Sequence, residues 1–129
     1  MSDNDKTVAK ITDIRERAFA FAVRIVKLCQ YLEKKTNVSR TLVTQLLKAG
    51  TSVGANLEEA QVGQSKPDFI GKNSIAIKEA RESKYWLRLI SATNVFEEKI
   101  KAGIEELIIE SSEIAKILGS IIVSAKKED

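Results

Sequence analysis

The stretch AGTSVGANLEEAQVGQ, residues 49–64, decides how this chain folds. It continues an apolar stripe at helical spacing but also contains three glycines, at positions 50, 54 and 63. A glycine inside a helix costs roughly 0.5–1 kcal/mol relative to alanine, so the close approach of another backbone has to offset that cost. Gly50 and Gly54 lie one turn apart on one edge of the helix. They predict close packing of a neighbouring helix there.

Polar side chains occupy the other edge of this helix. Ser52, Asn56 and Glu59 follow one another at spacings of four and three residues. On the next helix, Glu79 and Glu82 lie among large apolar groups, where a carboxylate needs a partner. We therefore predict that these five residues form a polar seam, which fixes how the two helices align.

Composition is typical of a single helical domain. The chain has 129 residues, of which 30% are charged and 5% are aromatic, and it has one proline. No apolar run approaches the roughly 18 residues of a membrane span, and the polar start MSDNDKTVAK lacks an apolar signal core. Cys29, the sole cysteine, has no partner for an internal disulfide. We expect a cytoplasmic protein with no membrane partner, and an inert core thiol at Cys29.

Histidine is absent from the sequence. Its absence excludes Cys/His zinc sites, histidine-dependent nucleophilic catalysis and the Glu-x-x-His pairs of di-iron bundles. An enzymatic alternative brings Glu58 and Glu59 together with Glu79 and Glu82, and it predicts bound iron or manganese. The lysines and arginine interleaved with these residues favour ion pairing instead. We therefore expect no enzyme, no metal and no cofactor.

Helical spacing of the apolar residues defines the domain. It predicts a bundle domain over residues 11–126, behind a mobile polar leader over residues 1–10, with helices over residues 12–35, 39–64, 67–94 and 102–125. Ser39 is a candidate N-cap, and Pro67 suits the first turn of the third helix. Because the breaks between helices are short, the expected fold is an all-α, antiparallel up-down four-helix bundle.

Three of the helices have more apolar surface than one bundle core needs. The extra positions are Phe19, Val23 and Val26 on the first helix, Ile75, Trp86 and Leu89 on the third, and Ile109 and Ile117 on the fourth. On the first helix they indicate either a wide core face that touches two neighbouring helices or a subunit interface. We predict that this set forms a homo-oligomer interface.

Charge is unevenly distributed, although the net charge is only +3. Residues 24–48 have a net charge of +5 and residues 97–113 a net charge of −4, which favours association with another copy or with a polyanion. The candidate RNA or DNA contacts are Arg24, Lys27, Lys34, Lys35, Arg40, Lys78, Arg81, Tyr85 and Arg88. For the four candidates on the third helix, Lys78, Arg81, Tyr85 and Arg88, the alternative is an ordinary solvent-exposed helix face. Trp86 as a base-stacking platform is weaker than Trp86 as a packing residue.

Two segments carry a family resemblance. SVGANLEEAQ, residues 52–61, and DFIGKNSIAIKEARESKYWLRLI, residues 68–90, resemble the four helix bundle protein family, also called the 23S ribosomal RNA intervening-sequence protein family. The family's Asn-x-x-Glu motif and its acidic aromatic segment fall here on Asn56, Glu59, Glu79, Glu82, Tyr85 and Trp86. The resemblance covers the second and third helices by sequence and the other two by pattern.

The resemblance implies a small bundle that assembles into a ring, with a pentamer as the expected form. Related proteins serve as accessory variability determinants of retroelements, and there a basic pentameric barrel engages nucleic acid and a reverse transcriptase. By that analogy, self, RNA or DNA, and a reverse transcriptase are the expected partners. We therefore expect a non-enzymatic, ring-forming protein that binds nucleic acid. The alternative is a purely structural or protein-adaptor oligomer with no nucleic-acid role.

Overall fold

The apolar periodicity of the sequence is realised as four long helices. The computed structural model describes residues 3–62 and 65–128, and its helices are α1 (Asp3–Glu33), α2 (Arg40–Gln61), α3 (Lys66–Thr93) and α4 (Glu98–Lys127). No strand occurs among the described residues. The predicted all-α four-helix bundle is therefore confirmed.

Each helix packs against the helix that precedes or follows it, and α4 closes the bundle against α1. Contact between α1 and α4 is the least extensive of the four helix pairs. On α1 the residues Arg17 and Arg24 meet Glu110 and Glu106 of α4, so residue numbers rise along one helix while they fall along the other. The two helices are therefore antiparallel, as an up-down connection with short turns requires.

One continuous hydrophobic core lies along the bundle axis. Its largest fully buried side chains are Phe21, Ile14, Ile25, Leu32, Leu46, Leu57, Leu87, Ile90, Ile104, Ile114, Leu118 and Ile121. The three buried polar residues of the described chain form hydrogen bonds within their own helices. The side chains of Asn73, Ser83 and Ser111 donate hydrogen bonds to carbonyls one turn back on their own helices, at 2.7–2.8 Å. No cross-helix polar pair is therefore needed to bury them.

Capping residues fix the starts of α2 and α3. Ser39 is the N-cap of α2, as predicted, and its hydroxyl accepts a hydrogen bond from the backbone N–H of Leu42 at 3.3 Å. Ser65 caps α3 in the same way through Asp68, and Pro67 lies in the first turn. A proline there loses nothing, because the first N–H groups of a helix have no intrahelical acceptor.

The structure corrects the predicted start of the first helix. Helix α1 begins at Asp3, not near Thr12, so the described part of the predicted leader over residues 1–10 is helical. Nothing in that segment breaks a helix, and Ile11 packs against the core. The hydroxyl of Thr12 donates to the carbonyl of Val8, which places Thr12 inside the helix. Polar composition alone had indicated a leader. Residues 1 and 2 lie outside the described part of the chain.

The start of the fourth helix also differs from the prediction. Helix α4 begins at Glu98 rather than at residue 102. Ile100 packs against the core, and two glutamates at the start suit the positive end of the helix dipole. The remaining bounds differ by a few residues: α2 ends at Gln61 rather than at residue 64, which itself lies outside the described residues.

Candidate self-association and nucleic-acid surfaces

The two glycines of α2 face α1 at different distances. A Cβ placed on Gly50 would lie 2.7 Å from Cγ2 of Ile25, a buried and rigid β-branched side chain. A Cβ placed on Gly54 would lie 3.7 Å from the carbonyl of Ala18, which is ordinary van der Waals contact. Gly50 is therefore the residue that lets α1 and α2 approach closely, and Gly54 tolerates a methyl group.

Phe19, Val23 and Val26, which we call the α1 strip, lie on the outer side of α1. Phe19 is 71% exposed and Val23 is 37% exposed, whereas Val26 is half-buried. Phe19 borders a shallow depression of about 410 Å³ between α1 and α2, where Arg15 pairs with Glu58. The bundle core does not cover this strip, so the alternative of a wide core face fails for Phe19.

Ile75, Trp86 and Leu89, the α3 strip, share one side of α3 by their helical spacing. Ile75 is 42% exposed, and the other two are half-buried. Trp86 packs against the core and borders a shallow depression that also includes Gln45 of α2. Its indole Nε1 is buried and has no hydrogen-bond partner, and it is the sole such side-chain atom among the described residues.

The two predicted interface residues of α4 occupy different surroundings. Ile109 is 63% exposed on the outer side of the helix. Ile117 is half-buried, packs against the core and lines the groove between α4 and α1 with Ile14 and Ala20. The predicted interface residues therefore fall on three separate surfaces rather than on one patch.

The predicted polar seam lies along α2 and α3, but two of its members bond within their own helix. The hydroxyl of Ser52 donates to the carbonyl of Lys48 at 2.6 Å, and Nδ2 of Asn56 donates to the carbonyl of Ser52 at 2.8 Å. Glu59 is exposed. None of the three has a cross-helix hydrogen bond among the described residues. No contact therefore supports their predicted role in aligning the two helices.

Glu79 and Glu82 lie one turn apart on α3, and both are half-buried. Burial, and then the negative charge of Glu82, raise the pKa of Glu79, while Lys78 and Lys48 act in the opposite direction. Neither carboxylate has an ion-pair partner in the described part of the chain. The predicted ion-pair partner of these carboxylates is therefore not found among the described residues, and the negative charges of Glu79 and Glu82 act against each other instead.

The three arginines of α1 are paired with carboxylates on the neighbouring helices. Arg24, a predicted nucleic-acid contact, lies 2.9 Å from Glu106 of α4. Arg17 makes a two-point contact with Glu110, with its Nε at 3.1 Å from Oε2. Arg15 does the same with Glu58, and this contact lowers the pKa of that carboxyl group. The Arg24–Glu106 pair thus joins the basic segment, residues 24–48, to the acidic segment, residues 97–113, within one chain.

Four further predicted contacts lie on or near the α1–α2 turn. Lys34, Lys35 and Arg40 are all exposed there, and Lys27 is exposed on α1. The ammonium group of Lys35 lies 4.9 Å from the centroid of the Tyr31 ring, at cation–π distance. Three of these side chains therefore lie at one end of the bundle, and Lys27 lies further along α1.

Lys78, Arg81, Tyr85 and Arg88 lie along the outer face of α3, and we call them the α3 outer face. All four are exposed, and Tyr85 is exposed by 55%. The three basic side chains form no ion pair with any described residue. Tyr85 contacts Trp86 edge to face, with ring centroids 5.3 Å apart and an interplanar angle of 74°. Here the predicted residues do come together on one surface.

Sequence reasoning missed the ion pairs of α1. Arg17 and Arg24 lie seven residues apart, and Glu106 and Glu110 lie four apart, so each pair shares one helix face. The spacing showed which helix faces carry these charges. It did not show the axial register that brings Arg24 to Glu106.

The described residues offer little for chemistry. Cys29 is buried, and burial raises the pKa of its thiol to about 12, so it is not a nucleophile at neutral pH. Within residues 3–62 and 65–128, no three His, Cys, Asp or Glu side chains are arranged to hold a metal ion. Over the same part of the chain, no helix combines the length and apolar character needed to cross a bilayer.

Comparisons with known proteins place this bundle in a family. Residues 10–120 match the family described as 23S rRNA-intervening sequence protein. A crystal structure of a protein of unknown function from the S23 ribosomal protein family of Bacteroides thetaiotaomicron VPI-5482 is similar to this chain, with a TM-score of 0.78 and 40% sequence identity. The similarity covers 88% of this chain and 98% of that one. No curated protein sequence matches. The chain therefore belongs to the 23S rRNA-intervening sequence protein family.

Proposed function

We propose that this protein assembles into a ring of identical subunits, a pentamer, and holds nucleic acid on the α3 outer face without catalysing a reaction. The observation that carries the proposal is that the α3 outer face brings three exposed cations and an exposed aromatic ring onto one helix face, and none of those cations has a carboxylate partner among the described residues. Unpaired, exposed cations are what a phosphate backbone requires, because each contact gains free energy by releasing counterions.

Self-association is supported by exposed apolar surface at two places, one on α1 and one on α3. The α1 strip includes Phe19, which is 71% exposed, and the α3 strip includes Ile75, which is 42% exposed. A closed ring needs two different surfaces on each subunit, so that one surface of a copy meets the other surface of the next. Two separate apolar strips meet that requirement, and the pentamer follows from the family resemblance.

A protein-adaptor role is the second candidate, and Glu79 and Glu82 favour it. Their carboxylates lie beside Lys78 and Arg81, so phosphate would be repelled at one edge of the α3 outer face. A mixed-charge surface of this kind suits a protein partner, such as a polymerase with an acidic and basic face of its own. By family analogy, a reverse transcriptase is the partner to test.

Two measurements on the purified protein test the proposal. Light scattering should give five times the chain mass of 14.3 kDa. Fluorescence anisotropy with labelled RNA and DNA should show binding that weakens steeply as salt rises from about 50 to 200 mM. A protein with the mass of one chain would contradict the ring. Absence of binding at low salt would leave the alternative of a purely structural or protein-adaptor oligomer.

A variant pair tests which apolar surface forms the ring. Phe19→Glu places a charge in the α1 strip and should lower the mass in solution, because desolvating an unpaired carboxylate opposes association. Val123→Glu is the matched control, since Val123 is also exposed, at 52%, but lies on α4 outside the predicted interface. If both variants keep the parental mass while remaining helical, the α1 strip is not part of the interface.

A further inference from the structure

We infer that the α3 outer face selects single-stranded nucleic acid, with Tyr85 as the platform on which one base stacks. This inference rests on the proposed nucleic-acid role and names the class of ligand that the same surface takes. It assigns stacking to Tyr85 rather than to Trp86.

The ring of Tyr85 is exposed to a ligand and is held in place by Trp86. It is 55% exposed, while the edge-to-face contact at 5.3 Å ties its ring to Trp86. Trp86 in turn packs against the bundle core, and its buried Nε1 shows how deeply the indole is held. Trp86 is thus the support, and Tyr85 is the ring that a ligand can reach. An aromatic ring with fixed orientation loses little side-chain entropy when a base stacks on it.

The basic residues flank Tyr85 along the helix. Arg81 lies four residues before it and Arg88 three residues after it, so both are its neighbours on one helix face. From Lys78 to Arg88 the strip is only about 15 Å long, because the helix rises about 1.5 Å per residue. Such a strip can follow the backbone of a few nucleotides. It is far shorter than the roughly 34 Å turn of a duplex.

A shallow depression next to Tyr85 offers room for a base. Its volume is about 530 Å³, and Ile77, Tyr85 and Trp86 provide its apolar wall. Gln45, Ser74 and Glu82 provide polar groups at its border. The carboxylate of Glu82 repels phosphate, but it can accept a hydrogen bond from the amino group of a base. The arginines can therefore contact a phosphate group while Glu82 contacts the base of the same nucleic acid.

A duplex is a poor ligand for this arrangement. Its base faces are already stacked, so a base must first be unpaired and unstacked before it can meet Tyr85. In single strands the base faces are free, and aromatic residues set among cations are the usual means of holding them. The aromatic ring among the arginines would serve no purpose on a surface that reads only duplex phosphates.

The test compares Tyr85→Leu with Tyr85→Phe, on the full chain, by anisotropy. The probes are a short labelled RNA, the DNA of the same sequence, and the DNA duplex. The wild type should bind at least one single strand about tenfold more tightly than the duplex, and the RNA and DNA arms show which source is preferred. Leucine removes the aromatic ring and should weaken single-strand binding about tenfold. Phenylalanine keeps the ring and should leave that binding unchanged. Duplex binding should not change in either variant.

The salt dependence distinguishes stacking from a general loss of the surface. Tyr85→Leu removes no charge, so its salt slope should equal that of the wild type, whereas Arg81→Gln should reduce the slope by about one. If Tyr85→Leu binds single strands as tightly as the wild type, or if the duplex is preferred, the inference is wrong and the proposed nucleic-acid role survives. Absence of binding to all three probes at low salt would overturn both.

Discussion

Helices α1 and α3 both expose arginines, but only α3 leaves them unpaired. On α1, Arg17 and Arg24 are held by Glu110 and Glu106 across a helix boundary. On α3, Arg81 and Arg88 point from the outer face with no carboxylate partner among the described residues. The charge of a sequence segment counts cations, whereas the register of the neighbouring helix decides which of them are available. A surface that binds phosphate is therefore found by asking which cations the fold leaves over.

Charge reversal on α3 should have the largest effect on function. In Arg81→Glu/Arg88→Glu two favourable contacts become repulsive, so nucleic-acid affinity should fall about a hundredfold, or about 2.7 kcal/mol. The salt slope should fall by about two. Arg24→Gln is the matched control on α1, and it should leave affinity within a factor of about two. Equal losses from the two variants would mean that the ion pair of Arg24 opens in solution and that the contrast between the helices is false.

Light scattering on the same variants separates the two proposed uses of the α3 outer face. If Arg81 and Arg88 contact the acidic side of α4 in a neighbouring copy, charge reversal should dissociate the ring. If they contact nucleic acid, the mass should stay at that of the wild type. A fall in mass in Arg81→Glu/Arg88→Glu would favour the structural alternative.

Packing at Gly50 should give the next largest effect, and it concerns the α1 side of the comparison. The Cβ of Gly50→Ala would lie 2.7 Å from Cγ2 of Ile25, so α1 has to shift. Overpacking costs about 1–3 kcal/mol, and the gain in helix propensity returns up to about 1 kcal/mol of it. In Gly54→Ala the nearest atom would be 3.7 Å away, so only the propensity gain remains, about 0.5–1 kcal/mol of added stability.

Chemical denaturation of the two glycine variants checks this prediction. Their free energies of unfolding should move in opposite directions from the wild type. A Gly50→Ala protein as stable as Gly54→Ala would mean that α1 adjusts to the methyl group without strain. The register that sets the arginine pairs of α1 would then be less firmly fixed than the distances indicate.

Removing the acidic partners should make α1 resemble α3. In Glu106→Gln/Glu110→Gln, the guanidinium groups of Arg17 and Arg24 lose their partners, and nucleic-acid affinity should rise severalfold at low salt. Stability should fall by no more than about 1 kcal/mol, since pairs this exposed contribute little. Anisotropy and denaturation measure the two effects. Unchanged affinity would show that these arginines are badly placed for phosphate, whatever their pairing.

The sequence predicted the fold well because the apolar stripes are long and the breaks between helices are short. Ser39 and Pro67 marked helix starts by chemistry that needs no tertiary contact. The start of α1 was missed because residues 3–11 are mostly polar, although they contain no helix breaker and Ile11 contacts the core. One apolar residue in a mostly polar segment is too weak a signal to predict that the segment is helical.

Residues that share one helix face were predicted better than contacts between helices, for a physical reason. Residues on one helix face come together by spacing alone, and the α3 outer face was found that way. Contacts between helices depend on axial register, which the sequence did not provide. So Arg24 was grouped with free cations although Glu106 holds it, and Ser52 and Asn56 were assigned to a seam although each bonds its own helix.

The smallest predicted effect concerns Glu79, beside the α3 outer face. Burial and Glu82 raise the pKa of Glu79 in the folded protein, so its charged form is disfavoured there. Its favourable contribution is therefore fully present below the ordinary glutamate pKa, about 4.3, and is lost as pH rises through the raised value. Glu79→Gln should stabilise the protein at pH near 7, by roughly 0.2–0.5 kcal/mol as for other like-charge pairs one turn apart, and not below the ordinary pKa.

Denaturation of Glu79→Gln at both pH values measures this difference, with the exposed Glu59→Gln on the facing helix as a control that should show no change. Equal stabilisation by Glu79→Gln at both pH values would mean that shape, not charge, is responsible. A loss of stability near neutral pH would mean that the carboxylate of Glu79 has a partner in solution. In that case a cation of the α3 outer face, Lys78 first of all, would be less free than its exposure implies, and the contrast between α3 and α1 would narrow.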